Sequence, residues 1–136
     1  MTARFRHFLS LTMLFLCSDW VLANDVAILG ADFSQDKDGT WTISVALLHE
    51  DDGWDHYADR WRVVDAEGKI LGERVLLHPH DDEQPFVRSE SGVKIPADLS
   101  TVYIEAHDLV HGWTPHRMAV DMTKAENGHL RVAAQQ

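Results

Sequence analysis

The chain has 136 residues and one cysteine, Cys17, with 22 acidic against 12 basic side chains and a net charge of −10. One domain accounts for that length. The charge disfavours nucleic-acid phosphates and anionic lipid surfaces and favours cations or basic partners, and a lone thiol excludes a disulfide framework.

The first 23 residues read as a cleaved secretory signal. Arg4, Arg6 and His7 give a basic start, and Phe8 to Cys17 is a short apolar run, too short to span a bilayer. Val21-Leu22-Ala23 offers a peptidase site, with Asn24 as the new N-terminus. A lipid anchor on Cys17 is the rival reading. Leu14-Phe15-Leu16 argue against it, because small residues are wanted immediately before such a cysteine. Cleavage leaves 113 of the 136 residues, no cysteine, and ten basic against 21 acidic residues, a net −11. A periplasmic or secreted domain of this kind must hold itself together by its core. It needs no membrane span in the mature chain and has no thiolate to offer a metal.

The remainder reads as a succession of short strands. Asp25–Phe33 is a mostly apolar first strand. Ser34 to Gly39 resembles the start of a calcium loop, but the chelating Glu that should close it falls at Val45, so a hairpin turn is expected. Thr40–Glu50 alternates, with Trp41, Ile43, Val45 and Leu47 on a core face, and His49 continues that phase. The loop Glu50–His56 carries four carboxylates, Trp54 and His56. Tyr57 to His78 is a hairpin around a turn at Asp65–Lys69, with Trp61 as its central anchor and Gly72 as a possible bulge. His78–Pro85 is a proline-stiffened loop. Two short strands, Phe86–Ser91 and Val93–Ile95, then Thr101–His107 and His116–Met122 complete the set, and residues 124–136 read as a loose C-terminal tail or one with a short helical or strand piece.

About seven short strands at intervals of roughly ten residues indicate an all-β sandwich over residues 24–123. The pattern resembles the immunoglobulin and fibronectin type III superfold, with Trp61 where such domains carry a core Trp on the third strand and Tyr103 in place of a tyrosine corner. The resemblance lacks the paired cysteines of antibody domains, and it implies a fold rather than a function.

In that topology the loops after the second, fourth and sixth strands share one end. Seven of the eight mature histidines lie in or beside these loops, and only His129 does not. Neutral imidazoles bind copper and zinc, and carboxylates complete or orient the shell. His78 and His80 are the first candidates, as a His-x-His pair stiffened by Pro79, with His49, His56, His107 and His111 as the pool for further ligands. Taken singly, each histidine also reads as an ordinary strand-end residue bonded to backbone. Clustered histidines beside carboxylates could equally sense pH. Trp54, Phe86 and Trp113 offer an aromatic surface for another envelope protein, unless they fold back to cap the core. The chain has no G-x-S-x-G elbow, phosphate-cradling loop or H-E-x-x-H helix, so a non-catalytic binding module is expected, with copper or zinc as its cofactor. The alternative is a structural or interaction domain of the cell envelope without metal.

Overall fold

A computed structural model describes residues 25–135. The signal segment expected over 1–23, including Cys17, lies outside the described residues. Among the described residues, nine strands form two antiparallel sheets: β1 (Ala27–Gln35), β2 (Trp41–Leu48), β3 (Ala58–Val64), β4 (Ile70–Val75), β5 (Phe86–Val93), β6 (Thr101–Asp108), β7 (Gly112–Trp113), β8 (Met118–Asp121) and β9 (His129–Ala133). One sheet has the order β5-β2-β1-β9; in the other β4-β3-β6 continues into β7 and β8, both of which pair with β6.

The core forms where inward phases from the two sheets meet. β2 contributes Trp41, Ile43, Val45 and Leu47, and β6 contributes Val102, Ile104 and Ala106. Trp61 and Val63 of β3, Phe33 of β1 and Val120 of β8 fill the space between them. Because strand side chains alternate with period two, the residue two positions beyond the last inward apolar one still points inward. That residue is His49 beyond β2 and Asp108 at the end of β6, and both are buried. The same arithmetic puts His107 and Tyr103 on the outer face. Tyr103 lies under the Arg117 guanidinium, 3.7 Å from the ring centroid, and is not a core corner residue.

Bulges account for the segments whose alternation is hard to read. In β5, Ser91 and Gly92 together oppose Thr42 of β2, with Gly92 at φ 70°. The extra residue inverts the phase, so Phe86 and Val93 both face the core although seven positions separate them. Residues 86–93 therefore form one strand, not two pieces. A second bulge lies opposite Val63/Val64, beside Gly72. A Cβ at Gly72 would lie 2.8 Å from a Val93 methyl, so glycine lets β4 close against β5 of the other sheet.

The expected loose tail is part of the sandwich. Asn127 and Gly128, at φ 52° and 72°, reverse the chain, and β9 then pairs antiparallel with β1. Leu130 enters the core. Five residues with one fully inward side chain are too short a pattern to separate from coil by periodicity alone. Among the described residues, no helix is long and apolar enough to cross a membrane.

Candidate metal centre

The loops after β2, β4 and β6 meet at one end of the sandwich, where the inward phases of the two sheets deliver His49 and Asp108 to the same space. The loop after β2 adds His56. Its ring meets His49 edge-to-face at 4.9 Å between centroids, and His111 on the other side at 5.2 Å. One donor atom each from His49, His56 and Asp108 lies within 4.8 Å of the others. His56 Nε2 stands 3.4 Å from Asp108 Oδ1. Ligands on a tetrahedral zinc ion are about 3.3–3.5 Å apart, given bonds near 2.0–2.1 Å, so this pair already has the required spacing.

Asp51 organises the site from behind. Its Oδ1 accepts from Ala58 N at 2.9 Å and from His49 Nδ1 at 2.6 Å, and its Oδ2 accepts from His80 N at 2.7 Å. A carboxylate can only accept, so in the neutral ring Nδ1 donates to Asp51 and the lone pair is left on Nε2. That nitrogen is buried without a hydrogen-bond partner, and the same holds for His56 Nε2. Buried polar atoms are normally satisfied, so two adjacent orphaned imidazole nitrogens call for an explanation. An imidazole oriented by a carboxylate, with its other nitrogen free, is the usual form of a metal-binding histidine.

Asp108 is fully buried. Burial opposes its charge, but backbone N–H groups of His111 and Val110 donate to it and histidines surround it. The balance holds its carboxyl below the usual range, so it is ionised.

The remaining candidates separate clearly. His80 is buried, stacked on Phe86 with centroids 3.9 Å apart, and neither of its ring nitrogens has a partner. Burial lowers its pKa, with Arg88 adding to the effect, which favours the neutral ring. His78 is exposed, tilted against His80, with its Nδ1 on the Pro79 carbonyl. The His78/His80 pair thus stands beside the three-donor cluster, linked to it through Asp51, and supplies none of its donors. His107 pairs through Nδ1 with Asp59 on the outer face of the second sheet, against the edge of Trp113.

The three aromatics do not form one surface. Phe86 is 1% exposed and belongs to the core, because it pairs with inward-facing Leu47 of β2. Trp113 is half-buried with Arg62 stacked on its face at 3.6 Å. Trp54 alone is open, at 67% exposure, beside Tyr57.

Asp51 and Asp108 carry as much of the site as the histidines do, and neither stands out by motif. For Asp108 a signal was available: it continues the phase of Val102, Ile104 and Ala106. Asp51 sits in a loop with Asp52 and Asp55, and nothing in that run distinguishes it.

No family model and no solved structure matches the chain. A protein of Halomicrobium mukohataei, described as "Putative lipoprotein", is 42% identical over 93 residues. The match covers 68% of this chain and 44% of that protein, so the chain spans less than half of its relative.

Proposed function

We propose that this protein is an exported, non-catalytic β-sandwich module that binds copper or zinc at its histidine-bearing end. The ligands are His49, His56 and Asp108. One observation carries the reading: His49 Nε2 is buried without a partner while Asp51 holds Nδ1, and His49 groups with two further donors. Neutral imidazoles with a single carboxylate suit zinc or copper better than calcium or magnesium, which prefer all-oxygen shells. Asp51 is the orienting group.

The similarity to a protein described as a lipoprotein supports export and placement in the cell envelope. It also keeps the Cys17 anchor in play beside cleavage after Ala23. Mass spectrometry of the protein from its membrane fraction separates the two: a diacylated N-terminal Cys17 against a free Asn24. For the fold, β1, β2 and β5 in one sheet against β3, β6 and β8 in the other is the distribution of the first, second and fifth against the third, sixth and seventh strands of an immunoglobulin-type sandwich. Here β4 joins the β3 edge, and β9 extends the first sheet beyond β1.

The test is titration with copper and zinc at about pH 7.5 and 5.5, spanning the ordinary imidazole range. Stoichiometric binding that weakens at the lower pH, and that His49→Ala abolishes, supports the site. Binding that survives His49→Ala but is lost in a His78→Ala/His80→Ala variant moves the site to the His-x-His pair. Absence of binding leaves an interaction domain, with Trp54 as its exposed aromatic.

A further inference from the structure

We infer that this end of the sandwich holds two metal ions, with the Asp108 carboxylate shared between them. The inference rests on the metal reading above and deepens it. Among the described residues, Asp108 belongs to two three-donor sets. One joins it to His49 and His56, the other to Asp25 and His111, and within each set the donor atoms lie within 4.8 Å of one another. The sets have no other member in common and do not merge.

That separation keeps the five donors from all serving one ion. Bonds of about 2.0–2.2 Å place even opposite ligands no more than roughly 4.4 Å apart. Donors that fail to fall within 4.8 Å across the two sets therefore cannot all reach one ion as they stand. They can reach two, one on each side of a common carboxylate. His56 Nε2 approaches Asp108 Oδ1 at 3.4 Å, and His111 Nδ1 lies 3.1 and 3.3 Å from Oδ1 and Oδ2. At the second position the ion takes the place of the hydrogen bond between His111 Nδ1 and the carboxylate, which the neutral ring with its proton on Nε2 allows.

Chain order supports the pairing. Asp25 precedes β1, whose first residue Ala27 pairs with Leu48, next to His49. The start of the domain is thereby tied to the end that carries the histidines. Asp25, Asp108 and Asp51 place three carboxylates around the two positions, which offsets much of the charge of two divalent ions.

The two positions differ in character. The first is buried and rich in imidazole, and its orphaned His49 Nε2 marks it as the tighter one. The second has two carboxylates and one imidazole, with His111 and Asp25 partly open to solvent. It keeps room for water or an exchangeable ligand.

Copper(II) titration of the purified protein, followed by metal analysis and electron paramagnetic resonance, tests this. Two ions per chain are expected, the first bound more tightly. The integrated signal or line shape should change as the second ion couples to the first. Asp25→Ala/His111→Ala changes only partly exposed side chains and should reduce the stoichiometry to one while leaving the first affinity within about threefold. His49→Ala should remove the tight ion.

One ion per chain, unaffected by the double variant, overturns the shared carboxylate and leaves the single site standing. One ion lost in either variant also overturns it, in favour of a rearranged single site. Two ions retained in the double variant, or two with independent spectra, place the second ion elsewhere. No stoichiometric ion at all removes the metal reading itself.

Discussion

Two of the histidine–carboxylate pairs among the described residues, His49–Asp51 and His107–Asp59, hold their rings in different surroundings. In both, a buried carboxylate takes the Nδ1 of the imidazole. His49 projects inward between the sheets, where His56 and Asp108 converge on it. His107 is on the opposite phase of its strand and projects from the outer face, where its neighbours are Trp113 and, through Asp59, Arg60. No second imidazole joins it in a three-donor set among the described residues. The pair orients a ring; what lies at the other nitrogen decides whether that ring can bind a metal.

The largest contrast should come from the histidines themselves. His49→Ala is expected to weaken copper or zinc affinity by about 100-fold or more, beyond what loss of an orienting group alone produces. His107→Ala should leave affinity within about twofold. Isothermal titration of both variants is the check, and equal losses would erase the distinction between the two pairs.

The carboxylates sharpen it further. Asp51→Asn keeps the volume but removes a charge that accepts three N–H donors. Affinity should fall about 10- to 100-fold, with a stability loss of roughly 2–3 kcal/mol. Asp59→Asn should cost about 1–2 kcal/mol and leave metal affinity alone. Chemical denaturation without metal, run beside the titrations, separates the two effects.

A smaller effect concerns pH. Burial holds His80 below the ordinary value of 6.5 that it regains on unfolding. The unfolded chain therefore binds more protons as pH drops below 6.5, and stability falls through that window down to the folded value; above 6.5 the group contributes no slope. His80→Phe, which keeps the stack on Phe86 and the backbone N–H to Asp51, should flatten this part of the metal-free stability profile. An unchanged slope would assign it to the other histidines.

The smallest effect belongs to the outer face. Arg62→Ala removes the stack on Trp113 and the bond to Glu105, and should cost about 1 kcal/mol with no change in metal binding.

Much of this architecture was legible from residue alternation, because a half-buried strand must alternate. β2 reads almost directly from Trp41 to Leu47, and the turns at 34–39 and 65–69 announce themselves by Asp and Gly. Alternation fails where a bulge inverts the phase. Phe86 looked like a loop-edge aromatic because Ser91-Gly92 hides the continuity of β5, and residues 129–133 looked like tail because five residues carry too little period. The histidine-bearing end was readable as a neighbourhood from loop order alone. Its membership was not: His78-x-His80 drew attention as a motif, whereas the donor cluster pairs His49 with a residue 59 positions away, Asp108.

By itself, the sequence determined that strands would form, which faces would be apolar, and that the imidazoles would gather near one set of loops. Those properties follow from local chemistry, namely period, turn residues and charge. Only the tertiary structure decided which nitrogen is orphaned, which carboxylate belongs to both donor sets, and which histidine is turned outward by a single step of phase. Those are relations between distant strands, set by how two sheets face each other, and no local pattern encodes them.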